Sequence, residues 1–132
     1  MALVAVDEGE RLLFDYMLNK TAPTNWILRL FTSNTTPAEG DTNATYTQAT
    51  QAGYAPVTLT GTNWSVATVA NVTTAQYAEQ TFSFTTNATV YGYYYTNGTG
   101  TTALIAERFS GAPFTLPSGG GTIAITPRIT LD

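Results

Sequence analysis

Val90-Tyr91-Gly92-Tyr93-Tyr94-Tyr95-Thr96, then Asn97-Gly98 and Thr99-Gly100, then Ala103-Leu104-Ile105-Ala106-Glu107-Arg108-Phe109, is the stretch whose reading decides the fold. The first arm is the most β-prone segment of the chain, dense in aromatic and β-branched side chains that fit a pleated surface. Asn97-Gly98 supplies the positive φ angles of a tight turn, so the two arms are expected to fold back as a hairpin. Gly92 inside the first arm marks a bulge or a close backbone approach.

Working outward, Thr81-Phe82-Ser83-Phe84-Thr85 alternates strictly, the pattern of a strand with one buried face. Trp26-Ile27-Leu28-Arg29-Leu30-Phe31 is a strand with Trp26, Leu28 and Leu30 on one face. Arg29 shares the other face with Ile27 and Phe31, so that face is expected to be half exposed or to meet another chain. Tyr54 to Thr60 and Trp64-Ser65-Val66 flank the turn Gly61-Thr62-Asn63 and are expected to pair as a hairpin. Loops are expected over 33–50 and about 71–78, and Ser118-Gly119-Gly120-Gly121 reads as a flexible joint. The last strand, Thr122 to Thr126, continues past Pro127 as Arg128-Ile129-Thr130-Leu131; a proline there favours an edge or a bend between sheets.

One helix is expected, over about 8–19. Asp7 and Glu10 resemble a capping box, Leu12, Leu13, Tyr16 and Met17 line one face, and Pro23 forbids continuation. The helix is expected to lie across a sheet or a neighbouring subunit. Seven or eight short strands, one early helix and no βαβ alternation give an all-β chain. The expected fold is an antiparallel two-sheet β-sandwich of jelly-roll type. An arm and helix over 1–22 precede a sandwich over 23–132, the whole forming one compact domain.

Composition narrows the chemistry. Among 132 residues there is no histidine and no cysteine, and 11% are charged. The side chains that most often move protons, bind transition metals or attack carbonyls near neutral pH are therefore scarce. The sequence reads as a structural or binding protein, not an enzyme, with no cofactor. The five cations Arg11, Lys20, Arg29, Arg108 and Arg128 are scattered and the net charge is −4, so nucleic acid is not an expected partner. No apolar run is long enough for a membrane span, and the apolar start has no basic n-region. With no cysteine, synthesis in a reducing cytoplasm is expected. Seven Asn-x-Ser/Thr triplets, at Asn19, Asn34, Asn43, Asn63, Asn71, Asn87 and Asn97, reflect the abundance of Asn and Thr.

Four groups of residues are candidates for function. Glu107, the one strand-borne acid, reads as a general acid or as a buried partner of Arg128 or Arg29. Glu39, Asp41 and Asn43 alternate in a loop, as calcium ligands do, or form a plain solvated turn. Trp26, Trp64, Tyr54 and the Tyr91/Tyr93/Tyr95 stripe fill the core, build a subunit interface or stack sugars. Leu3, Val4 and Val6 belong to an apolar arm that adds a strand to a neighbouring subunit or shell, or else is the first strand of the chain's own sheet.

Gly53-Tyr54-Ala55, Trp64, Thr81-Phe82-Ser83-Phe84, Val90-Tyr91-Gly92-Tyr93-Tyr94, Ala106-Glu107-Arg108-Phe109 and Ile123-Ala124-Ile125-Thr126-Pro127 carry a resemblance. Over about 50–131 the chain resembles small virion proteins of tailed bacteriophages, including cyanophages. That resemblance implies a capsid decoration or cement protein, made in the host cytoplasm and seated on the outer surface of the capsid. It implies binding to the major capsid protein as a homo-oligomer, a trimer. From the residues themselves, Leu3, Val4, Val6, Glu107 and Arg128 are the expected capsid or subunit contacts. The other role it implies is a tail or fibre adhesin that binds host-surface carbohydrate. No catalytic residue comes with it.

Overall fold

The computed structural model describes residues 3–131, and within them the regular structure is mostly antiparallel strand. The strands are β1 (Val4–Ala5), β2 (Trp26–Phe31), β3 (Val57–Leu59), β4 (Ser65–Val69), β5 (Val72–Gln76) and β6 (Gln80–Phe84). They continue with β7 (Ala88–Val90), β8 (Gly92–Thr96), β9 (Ala103–Arg108), β10 (Phe114–Leu116), β11 (Gly121–Ile125) and β12 (Arg128–Leu131). One helix, α1 (Asp7–Met17), sits between β1 and β2. The largest sheet has the order β1-β9-β8-β2-β3, the second is β12-β5-β4, and β6–β11 and β7–β10 form two-stranded pairs. The twelve described strands exceed the seven or eight expected: β5 falls in an expected loop, the Tyr-rich arm divides into β7 and β8, and β1 and β10 are added.

The central hairpin forms as expected, with β8 and β9 paired from Gly92↔Arg108 to Thr96↔Ala103. Its turn differs. Asn97 does not adopt positive φ; its side-chain oxygen instead accepts from the Thr101 and Thr102 amides, and Gly100 takes the left-handed conformation at φ +72°. The Tyr-rich arm also breaks at Tyr91 into β7 and β8, which lie in different sheets. All five residues of β8 are buried. Register with β2 puts Tyr93 and Tyr95 opposite Leu30 and Leu28 in the main core, while Tyr94 faces the other side.

That other side is a second, smaller core of Val6, Phe31, Tyr46, Tyr94, Ala103 and Ala106. The long segment 33–50 covers it. Tyr46 stacks on Tyr94 at 5.1 Å, and the Thr32 amide donates to the Thr47 carbonyl at 2.8 Å. Arg29 meets its own loop through Gln48. Glu8 ties these parts together: its Oε1 accepts from the Asn43 and Ala103 amides, both at 2.7 Å.

The helix has Val6 at its N-cap with no side-chain cap, so Asp7 and Glu10 do not form the expected box. Three acids still occupy the first turn, where the helix dipole favours them. The helix ends sooner than expected, at Met17, and Asn19 turns the chain at φ +56°. α1 packs on the chain's own β9, and a Cβ on Gly9 would lie 2.3 Å from the Leu104 carbonyl oxygen.

Two other expectations change. β3 pairs with β2, while β4 pairs with β5, so the expected hairpin between Tyr54–Thr60 and Trp64–Val66 does not exist. The stretch expected as loop at 71–78 contains β5, entered through a two-residue turn with Ala70 at φ +50° and Asn71 at +67°. The expected joint at 118–121 is a tight turn: the Gly120 amide donates to the Pro117 carbonyl at 2.8 Å, and Gly121 already belongs to β11. Pro127 does mark a bend between sheets, since β11 pairs with β6 while β12 is an edge strand beside β5.

Gly92 is where the two cores touch most tightly. A Cβ there would sit 2.1 Å from the Glu107 carbonyl oxygen and 2.6 Å from the Phe31 ring. Gly92→Ala is therefore expected to destabilise the chain by about 2 kcal/mol or more through overpacking. Gly40, with nothing within 4 Å, should accept alanine within about 0.5 kcal/mol. Urea denaturation of the two variants checks both; equal midpoints would contradict the two-sided packing of β8.

Candidate functional site

The site is built where the main sheet is left uncovered. Beside β1 and β9, its core-side face forms the floor of an open groove of about 720 Å³, with Ala5, Ile105, Tyr93 and Glu107 exposed to it. Register explains this set: Ala5 pairs with Ile105 and Tyr93 with Glu107, so all four side chains leave the sheet on one face. Leu13, Tyr16 and Met17 of α1 make one wall. The residues of β12, from Arg128 to Leu131, make the other. The rims are apolar and wet: Met17 is 79% exposed and Leu131 72%. Phe14 and Leu18 extend the exposed apolar surface along α1.

The expected contact residues divide. Leu3 lines the groove, and Glu107 and Arg128 face it from the floor and the wall. Val4 pairs with Ala106 and belongs to the chain's own sheet, which is the second of the two readings of the arm. Val6 is wholly buried in the second core, so it offers no surface for a capsid or subunit contact. Among the described residues Glu107 forms no ion pair with Arg128 or Arg29; Lys20–Asp15, at 3.3 Å, is the ion pair present. The partner of Glu107 is the Tyr93 hydroxyl, which donates to Oε2.

Burial raises the proton affinity of the tyrosines around this floor. Tyr93 is pushed far above its ordinary value, first by burial and then by its hydrogen bond to Glu107. Tyr95 is pushed up by burial and by the nearby Glu107 charge, partly offset by the Arg128 backbone and the Tyr93 hydroxyl beside its own. Tyr54, sandwiched between Phe82 and Phe84 at 5.7 Å each, is raised to about 12 by burial, partly offset by the Leu30 amide it accepts.

The aromatic residues do not form a sugar platform of parallel exposed rings. Tyr93 and Tyr95 are buried, Tyr91 carries the Arg108 guanidinium 5.0 Å above its ring, and Trp26 meets Trp64 edge-on at 6.1 Å. Trp26 and Trp64 instead line a separate apolar cavity of about 300 Å³. In the loop, Glu39 is exposed, while Asp41 and Asn43 are tied to their own surroundings. Asp41 Oδ2 accepts from the Ala38 amide and the Tyr46 hydroxyl, both at 2.9 Å, and the Asn43 side chain donates to the Gly100 carbonyl at 3.2 Å. No three acids cluster as metal ligands among the described residues.

What the sequence did not reveal is the meeting of α1 with β12. Leu13, Tyr16 and Met17 carry a helical period, but nothing in the string says that the far C-terminal strand lies opposite them. No family model, curated protein or solved structure matches the chain.

The raised phenols give a pH prediction. The folded state holds these protons more tightly than the unfolded chain, so stability is fully present below pH 10 and is lost as pH rises above it. For Tyr54 the window runs from its ordinary value of 10.0 to about 12. Within that window the loss approaches about 1.4 kcal/mol per pH unit for each such tyrosine. Denaturant midpoints measured from pH 8 to 12 check this: a flat profile followed by a fall above pH 10 is expected, and stability unchanged at pH 12 would contradict it.

Proposed function

We propose that the chain is a virion structural protein of the capsid-decoration type, which binds the major capsid protein and braces the outer surface of the shell as a homo-oligomer. The observation that supports this reading most is the open groove between α1 and β12, with Met17 and Leu131 held in water at its rims. Covering one such side chain is worth about 1.5–3 kcal/mol, and contiguous exposed apolar surface is where proteins meet one another. The composition supports the same reading, because a chain without histidine or cysteine binds more readily than it catalyses. The phage resemblance over about 50–131 supplies the shell as the partner, and the trimer as the assembly.

The sandwich of jelly-roll type belongs to the same proposal. The main sheet serves as one layer, and the β6–β11 and β7–β10 pairs as the other. Phe82, Phe84, Val90, Leu116, Ile123 and Ile125 from those pairs share one core with Leu28, Leu30 and Tyr95 of the main sheet. The β12-β5-β4 sheet lies outside that pairing. Its β4 is exposed at every residue and ends in an unpaired edge, a second surface on which a subunit can add.

The tail-adhesin reading is favoured by one feature, the Trp26–Trp64 cavity, whose rings offer apolar faces to a sugar. Its lining gives few polar groups to hold sugar hydroxyls, so the decoration reading is preferred.

Cosedimentation with expanded phage heads tests the proposal. The protein is expected to pellet with heads, to saturate, and to lose about tenfold or more in affinity when Met17 and Leu131 are both changed to Asp, since two apolar anchors are removed. Both residues are exposed, so folding should survive the change. Wild-type protein that stays in the supernatant with heads at every concentration would overturn the proposal.

A further inference from the structure

We infer that the α1–β12 groove receives one basic side chain, an arginine or lysine carried on an apolar segment of the partner protein, with Glu107 as its counter-charge. The inference rests on the reading of this groove as an interaction surface, and it names the chemistry the partner must bring.

Glu107 is half-buried at the floor of a mostly apolar groove whose wall also carries Arg128 and Thr130, and a carboxylate in such a place is normally matched by a cation. Within the described residues no cation matches it. Arg29 donates to Gln48, Arg108 to Thr35 and Asn34, and Lys20 pairs with Asp15. Arg128 stands on the wall, but its register puts it level with Gln76 and Ser65, and it also borders the shallow hollow on the far side of its sheet. Of the two Glu107 oxygens, Oε2 accepts from Tyr93. Oε1 has no hydrogen bond and is not among the sealed polar atoms, so it stays open to an incoming donor.

A second observation comes from beneath the floor. Tyr95 is wholly buried, its ring lies 5.8 Å from that of Tyr93, and its hydroxyl sits beside the Tyr93 hydroxyl and the Arg128 backbone. The Tyr93–Glu107 hydrogen bond therefore sits at the open end of a short polar run set in the floor. The free Oε1 at that end suits a donor-rich head group. Arginine fits best, because its guanidinium carries several N–H donors while its methylene stem packs on apolar walls such as Leu13 and Met17. The groove is larger than one side chain, so apolar neighbours of that basic residue fill the remainder. An anionic head group, lipid or free phosphate, is repelled by the same carboxylate.

The test uses the intact chain and three small probes of equal tail length: octylguanidinium, 1-octanol and octanoate. Binding is followed by amide chemical-shift changes in nuclear magnetic resonance spectra. Octylguanidinium is expected to give saturable shifts at Ala5, Tyr93, Ile105 and Ile129, and to bind more tightly than octanol, with octanoate weakest. Glu107→Gln should weaken octylguanidinium by about tenfold and leave octanol unchanged, because one charge-assisted contact is lost. Tyr93→Phe keeps the carboxylate and should retain most octylguanidinium binding. If Glu107→Gln does not fold, salt decides: wild-type affinity for octylguanidinium must fall with added sodium chloride while affinity for octanol does not. Equal binding of octanol and octylguanidinium, no effect of Glu107→Gln, or shifts that map elsewhere would each overturn the inference. Heads that bind Glu107→Gln as tightly as wild type would also overturn it while leaving the decoration reading in place.

Discussion

β8 is buried on both of its faces, and the rest of the molecule is arranged to make that possible. A strand with tyrosines on both sides must find two separate coats. Tyr93 and Tyr95 are coated by the main core, whereas Tyr94 needs the second core that the segment 33–50 folds over to supply. The glycine at the head of this strand belongs to the same constraint, since the Phe31 ring and the Glu107 carbonyl approach where a side chain would stand. Glu8 then fastens the loop and the sheet to the helix through two backbone amides.

The groove follows from the same arrangement. The groove opens beside β1 and β9, where Ala5, Tyr93, Ile105 and Glu107 form its floor. α1 closes one side because Gly9 lets it approach β9 closely, and the Pro127 bend brings β12 to the other. Between them lie apolar side chains, one carboxylate and a tyrosine hydroxyl bound to it. Such a place gains free energy when another apolar surface covers it.

Much of the fold was legible wherever local pattern and packing agreed. The alternation in Thr81–Thr85, the Tyr-rich hairpin, the β2 faces and the proline bend all appear in the structure, because period and turn residues there act over a few positions. The failures have physical causes. The β4–β5 turn uses Ala70 and Asn71 without glycine, so it lacked the usual mark of positive φ. The segment 33–50 is polar in composition, and only the burial of Tyr46 shows it to be a cover for the second core. Of the site, Leu3, Glu107 and Arg128 could be picked out singly as candidate contact residues, but not as neighbours in one groove. Their convergence depends on contacts between positions more than a hundred residues apart, which no local period encodes.

A reconstruction of a phage head carrying this protein tests the central claim, that the chain works by docking the α1–β12 groove against a partner. The account predicts density for the protein on the outer shell, with the end of α1 and β12 pressed against a capsid subunit or a neighbouring copy. A bound molecule whose groove opens to solvent on every copy would contradict it.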